Sequence, residues 1–128
     1  LSCVNLAKRV DFDEAKNIHE VKVVCDDQGN AMYFSREPIP SKFMGDKEIP
    51  YLIEVCVFPF TKKSLKEFAN LPSTQHEIYE SIDMLRFLEH GHKVKIVETD
   101  YDTYSVDVPD DLEKVIQVME TDSLKDQY

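Results

Sequence analysis

The stretch Val21-Lys22-Val23-Val24-Cys25-Asp26-Asp27-Gln28-Gly29-Asn30-Ala31-Met32-Tyr33-Phe34-Ser35 decides how this chain is read. Two runs rich in β-branched and aromatic residues flank a polar five-residue segment. The pattern predicts a β-hairpin with Gly29 near the left-handed position of the loop. Outward from it, residues 1–7 form a further strand candidate. Residues 51–58 are a nearly continuous apolar run broken only by Glu54, which predicts a buried strand. Residues 93–97 alternate polar and apolar, predicting a strand with one covered face, and residues 105–107 a short strand.

Helices follow from caps and period. Thr61 can cap a helix over 62–69 that Pro72 ends. Ser73 or Thr74 can cap a longer helix to about His90, with Ile78, Ile82, Leu85 and Leu88 as one apolar stripe and Gly91 as its terminator. Pro109 opens a last helix with Asp110, Asp111 and Glu113 in its first turn, where the helix dipole favours anions. Val115, Ile116, Val118 and Met119 are its expected buried side. Residues 11–15 suggest a short helical piece, and 121–128 a frayed tail. The expected fold class is α/β: a mixed sheet with flanking helices and a β-hairpin excursion.

The length of 128 residues is that of one domain, and 42% hydrophobic with 31% charged residues is globular composition. With 15 basic against 25 acidic residues the net charge is −10, which argues against nucleic acid and anionic membranes as partners. No apolar run approaches the roughly 20 residues that span a bilayer, and no signal peptide is recognisable. Cys3, Cys25 and Cys56 lie far apart in apolar runs, which fits buried thiols in a reducing, cytoplasmic setting better than a zinc site or a disulfide framework. Glycine occurs three times only, so these residues hold no GxGxxG or Walker loop. The chain opens on Leu1, not Met, and enters a strand-like run at once, which points to a start inside a longer protein.

Several residues are candidates for chemistry. Asp107, between a short strand and a helix start, is either a hard oxygen donor suited to Mg²⁺ or a helix cap. Glu77, Glu80 and Asp83 recur at threes along one helix side, either gripping sugar hydroxyls or facing solvent, with Arg86 as an ion-pair partner for Asp83. Arg36, at a strand end stiffened by Pro38 and Pro40, suits a carboxylate or phosphate fork, or pairs with a neighbouring acid. His90 and His92 bracket Gly91 without a third metal ligand in reach.

Three blocks, taken together, resemble the C-terminal half of the CMP-Kdo synthetases (3-deoxy-manno-octulosonate cytidylyltransferases). They are residues 21–40, with the Tyr33-Phe34-Ser35-Arg36 and Ile39-Pro40 pieces; residues 77–91, with Leu85-Arg86-Phe87-Leu88-Glu89-His90-Gly91; and Val106-Asp107-Val108-Pro109-Asp110-Asp111-Leu112-Glu113. The similarity runs from about Leu1 to Glu120, making 1–120 the C-terminal portion of a nucleotide-sugar cytidylyltransferase domain. The resemblance implies a Rossmann-like nucleotidyltransferase fold and the transfer of CMP from CTP to a 2-keto sugar acid with release of pyrophosphate. It implies Mg²⁺ as cofactor, with Asp107 as a metal-binding aspartate. It also implies Arg36, Glu77 and Glu80 on the sugar side and a homodimer contact through hairpin 21–35.

Where the family's strand reads H-x-G-x-Y-x-Y, this chain has Glu54, Cys56, Phe58 and Phe60, which puts Glu54 among the sugar-side residues. Met84 replaces a Gln, and Val108 a helix-capping Thr. Two other readings stand beside the Kdo one: a noncatalytic α/β self-association module, and a cytidylyltransferase for a sialic-type or amino-Kdo acid. The family's phosphate loop and cytosine contacts are not found in these 128 residues, so the chain by itself is expected not to turn over CTP.

Overall fold

The computed structural model describes residues 3–43, 45, 48–101 and 103–125. Its strands are β1 (Cys3–Val10), β2 (Lys22–Cys25), β3 (Ala31–Ser35), β4 (Tyr51–Glu54) and β5 (Val94–Glu98). Its helices are α1 (Phe12–Ala15), α2 (Lys62–Asn70), α3 (Gln75–Glu80), α4 (Met84–Glu89) and α5 (Pro109–Glu120). The strands form one mixed sheet in the order β3-β2-β4-β1-β5, with β1 parallel to β5 and the other pairs antiparallel.

The hairpin departs from the sheet as its sequence suggests. β2 pairs with β4 only through Lys22↔Ile53 and Val23↔Leu52, after which the hairpin swings away. Its tip meets β5, where Ile96 N donates to Gly29 O at 2.9 Å and Asn30 bridges Lys95. Gly29 sits at φ +71°, and a Cβ there would approach the Lys95 ammonium. Glycine therefore suits both the turn and the close approach.

One sheet face carries the core. Cys3 and Ala7 of β1, Val94 and Ile96 of β5, Val23 of β2 and Phe34 of β3 pack against Ile82, Met84, Leu85 and Phe87. Phe60, Phe68 and Phe87 cluster with ring centroids 5.7–6.0 Å apart, and His92 stacks on Phe87 at 4.2 Å. Such aromatic contacts add about 0.5–1.5 kcal/mol each beyond area burial.

The structure differs from the sequence reading in four places. The strand expected over 51–58 ends at Glu54, because Cys56 takes φ +54° and turns the chain. The segment still follows β1 irregularly, with Leu6 N donating to Val57 O and Val4 N to Pro59 O. Residues 105–107 form no strand; they are exposed and bury nothing against a partner. α5 buries no residue, and Leu112, Ile116 and Met119 are each about half exposed, since no other described element packs along it. In the expected tail, Leu124 is half exposed in a short turn, and residues 126–128 lie outside the described residues, as do 1 and 2.

The fourth difference is the long helix expected up to His90, which breaks into α3 and α4 at Ser81, in the left-handed conformation (φ 54°, ψ 51°). Ile82 N closes back on Glu77 O at 3.2 Å, the wide hydrogen bond of a Schellman ending. The cause is tertiary: the Arg36 guanidinium donates to the freed carbonyls of Glu80 (2.7 Å) and Ser81 (3.1 Å). Ser81 is exposed and pays the left-handed penalty that glycine avoids. Ser81→Gly is expected to stabilise the fold by about 0.5–1 kcal/mol, read as a raised urea midpoint at unchanged m; a lowered midpoint would refute this account of the break.

Candidate functional site

Two carboxylates expected on the sugar side, Glu77 and Glu80, tie segments of the fold together. Glu77 accepts from Thr74 N (3.1 Å) and Arg86 Nε (2.8 Å), and its other oxygen takes Arg86 Nη2. It is nearly buried and joins the start of α3 to α4. Arg86 thus pairs with Glu77 and not with Asp83. Glu80 accepts from Ser35 Oγ (2.9 Å) and from Arg36 N (2.9 Å). Both were expected as grips on sugar hydroxyls; in the structure their oxygens serve neighbouring segments.

Arg36 is likewise engaged within the fold. Its Nε, Nη1 and Nη2 donate to the carbonyls of Glu80, Ile18 and Ser81. The fork that suits an anion is closed over main-chain oxygens. Lys22, wholly buried in β2, holds the same turn that Ile18 belongs to, with Nζ donating to Asn17 O (2.8 Å) and Glu20 O (2.6 Å). Burial pushes the Lys22 ammonium below its ordinary pKa.

That turn helps to wall a cleft of about 280 Å³. Its floor is the end of β4, with Glu54 and Cys56; His19 and Glu20 come from the turn, Lys8 from β1, and Ser105 and Asp107 from the connection into α5. The structure therefore brings Asp107 and Glu54 to one cleft, with Arg36 close enough to act on Glu54's ionisation. A larger hollow of about 830 Å³ beside Phe12 and Tyr51 shares no residue with it.

Asp107 does not cap the helix. Asp111 does, accepting from Asp107 N and Val108 N at 3.2 Å each. Among the described residues the Asp107 carboxylate takes one hydrogen bond, from Ser105 Oγ at 2.8 Å to Oδ2. Glu54 is only 8% exposed, and Asn5 Nδ2, wholly buried, donates to its Oε2 at 2.9 Å. Burial raises the Glu54 carboxyl pKa, with the Asn5 bond and Arg36 opposing. Glu20 is also raised, by burial first and then by Glu14 and Asp107. Cys56 is an exposed thiol, unlike the buried one expected, and its pKa is raised by burial of part of the side chain and by the charges of Glu54, Glu20 and Asp107.

Among the described residues no group of three His, Cys, Asp or Glu side chains is arranged to hold a metal ion. Mg²⁺ keeps its waters and commonly takes only one or two protein carboxylates plus substrate phosphates. A single hard carboxylate at a cleft mouth, with Oδ1 free of hydrogen bonds among the described residues, fits that style of binding.

Lys8, His19, Glu20 and Asn5 escaped the sequence reading. Asn5 carried a signal, standing between Cys3 and Ala7 on the face that strand alternation buries. His19 and Glu20 carried none, since a turn has no period.

Residues 2–98 match the family described as Cytidylyltransferase. A 3-deoxy-manno-octulosonate cytidylyltransferase of Anaeromyxobacter sp. is 39% identical over 109 residues, which are 85% of this chain and 45% of that one. The enzyme of the same name from Zea mays is 35% identical over 115 residues, 88% of this chain and 39% of its own length. A solved structure of CMP:2-keto-3-deoxy-manno-octonic acid synthetase complexed with CTP superposes with a TM-score of 0.86 at 32% identity, covering 94% of this chain and 49% of that one. The chain thus spans about half the length of the relatives it matches.

Arg86 holds the Glu77 pKa below the usual carboxylate range, chiefly through their hydrogen bonds. A depressed folded pKa gives stability that is present above the unfolded value of about 4.3 and lost as pH falls through the folded one. Arg86→Met is expected to cost about 1–3 kcal/mol at neutral pH and to flatten the loss of stability below pH ~4. Denaturant melts at pH 7 and pH 3 that differ as much in the variant as in the parent would contradict this.

Proposed function

The chain belongs to the cytidylyltransferase family, and from that premise we propose that it supplies the sugar-acid side of an enzyme transferring CMP from CTP to 3-deoxy-manno-octulosonate. The observation that carries the reading is the accessible Asp107 carboxylate, released from capping by Asp111 and sharing a cleft with Glu54.

In this reading the hydroxyl of the sugar acid attacks the α-phosphorus of CTP, a P–O bond forms, and the bond to pyrophosphate breaks. Catalysis of this kind is largely positioning and electrostatics. Asp107 would offer one oxygen to Mg²⁺, with Ser105 orienting the carboxylate. When bound, the metal would orient the phosphates and offset charge on the leaving oxygens. Lys8 is the cleft's cation, though Glu14 lies 3.3 Å from its ammonium. Arg36 and Lys22 act at one remove, holding the turn that carries His19 and Glu20.

The phosphate-cradling loop lies outside these 128 residues in this reading, so the chain alone releases no pyrophosphate from CTP. The reaction belongs to the cytoplasm, where free thiols persist. Hairpin 21–35 is the surface for a second copy. It ends the sheet with β3, where Met32 is 64% exposed. In the complete protein Met32→Lys is expected to shift a dimer toward monomer in light scattering; an unchanged dimer removes the hairpin from the contact.

Asp107→Ala in the complete protein is expected to lower kcat by about 10²–10³-fold, measured as pyrophosphate release from CTP, Mg²⁺ and 3-deoxy-manno-octulosonate. A rate equal to the parent's overturns the assignment of Asp107.

A further inference from the structure

The pair Asn5–Glu54 is a buried polar arrangement at this cleft. Asn5 stands on the core face of β1 between Cys3 and Ala7, and Glu54 ends β4 opposite Ala7. Apolar residues at both places would pack without any desolvation penalty. The pair is also incompletely satisfied. Asn5 donates to Glu54, but its own Oδ1 is buried without a partner. Glu54 Oε1 has no hydrogen bond among the described residues, while the residue lines the cleft. The unfilled Glu54 oxygen in the cleft wall awaits a donor, and a hydroxyl supplies one.

Charges reach Glu54 from each element around it. Arg36, after β3, favours its ionised form. Asp83, between α3 and α4, and Glu20, before β2, disfavour it. Lys8, His19, Cys56 and Asp107 share the cleft. The Arg36 guanidinium is occupied by main-chain carbonyls and is not hydrogen-bonded to Glu54. The Glu54 carboxylate therefore remains basic and keeps a free oxygen.

We infer that Glu54 is the proton acceptor of the transfer: its carboxylate takes the proton from the sugar-acid hydroxyl as that oxygen bonds to the α-phosphorus. The electron pair of the broken P–O bond leaves with pyrophosphate, and the proton passes from Glu54 to water before the next turnover. The assignment rests on the reaction proposed above. It adds a catalytic residue whose ionisation sets the acid limb of the pH profile. Burial has already moved that ionisation upward, toward neutral pH, where a general base works best.

The test uses the complete protein with CTP, Mg²⁺ and 3-deoxy-manno-octulosonate. Glu54→Gln keeps the shape and the bond from Asn5. It is expected to lower kcat by about 10²–10⁴-fold, to abolish the acid limb of kcat, and to leave sugar-acid binding within about threefold. Because a raised folded pKa makes an acid's contribution to stability fall as pH rises, the same variant is expected to hold or raise Tm at pH 8. Asn5→Ala gives a second line, since the Asn5 bond lowers the Glu54 pKa; its removal is expected to move the acid limb to higher pH. A kcat unchanged in Glu54→Gln, or an acid limb that stays in place in both variants, overturns the inference. Loss of activity in Asp107→Ala alongside either result would leave the cytidylyl transfer standing and only the role of Glu54 refuted.

Discussion

The structure depends on how Arg36 and Glu80 interlock. Arg36 donates through its guanidinium to the end of α3 and to the turn before β2, while its own main-chain amide is held by the Glu80 carboxylate. One residue at the end of β3 thereby fixes where a helix stops, where a turn sits, and how the hairpin joins both. Charge-assisted hydrogen bonds are about twice as strong as neutral ones, and a planar five-donor head spans three carbonyls at little added entropy. Replacement by lysine would keep the charge and lose the geometry.

The consequence reaches the cleft. The donors of Arg36 and Lys22 are taken up by main-chain carbonyls, and Arg86 neutralises Glu77, so these cations reach the site by their charge and not by hydrogen bonds. Within the cleft lining itself, Glu20, Glu54 and Asp107 stand against Lys8 and His19. A cleft of this sign repels a nucleoside triphosphate by itself. In the proposed function it would become hospitable once a divalent cation stood between carboxylate and phosphates, because the ion's charge would then dominate the local field. The acidity that argues against nucleic acid and the acidity of the cleft have the same physical root. Neither conflicts with a nucleotide substrate that arrives with its metal.

Much of the fold was legible in the sequence, and the illegible parts share a cause. The hairpin, β1, β5, α1 and the cap of α2 follow from local rules: turn residues, alternation, and side chains that accept from nearby amides. The break at Ser81 did not, because Ile78 to Leu88 keeps a helical stripe and the force that interrupts it comes from Arg36, 45 residues away. The end of β4 was hidden likewise, since Cys56 takes a left-handed conformation with no glycine to announce it. Glu54 and Asp107 could be picked out as polar residues in odd places. Whether Arg36, Glu77 and Glu80 face a ligand or the fold's own amides depends on what lies across from them.

The two left-handed non-glycine residues among the described residues mark opposite ends of this arrangement, and their company distinguishes them. Ser81 carries its strain against Arg36, which repays it with two hydrogen bonds to carbonyls the helix has released. Cys56 has no such compensation: its thiol is unpaired, and it follows directly on the strand that ends in Glu54. Strain of about 1–3 kcal/mol with no local return persists where the surroundings over-determine it, and such places cluster at functional sites. Here the turn at Cys56 ends the ladder one residue beyond Val55, whose amide is the last to pair in register with β1, at Leu6 O. A regular strand through 51–58 would have carried the chain straight on. The kink at Cys56 instead leaves Glu54 at the end of regular pairing, where a buried carboxylate borders a cleft and is not sealed within the sheet.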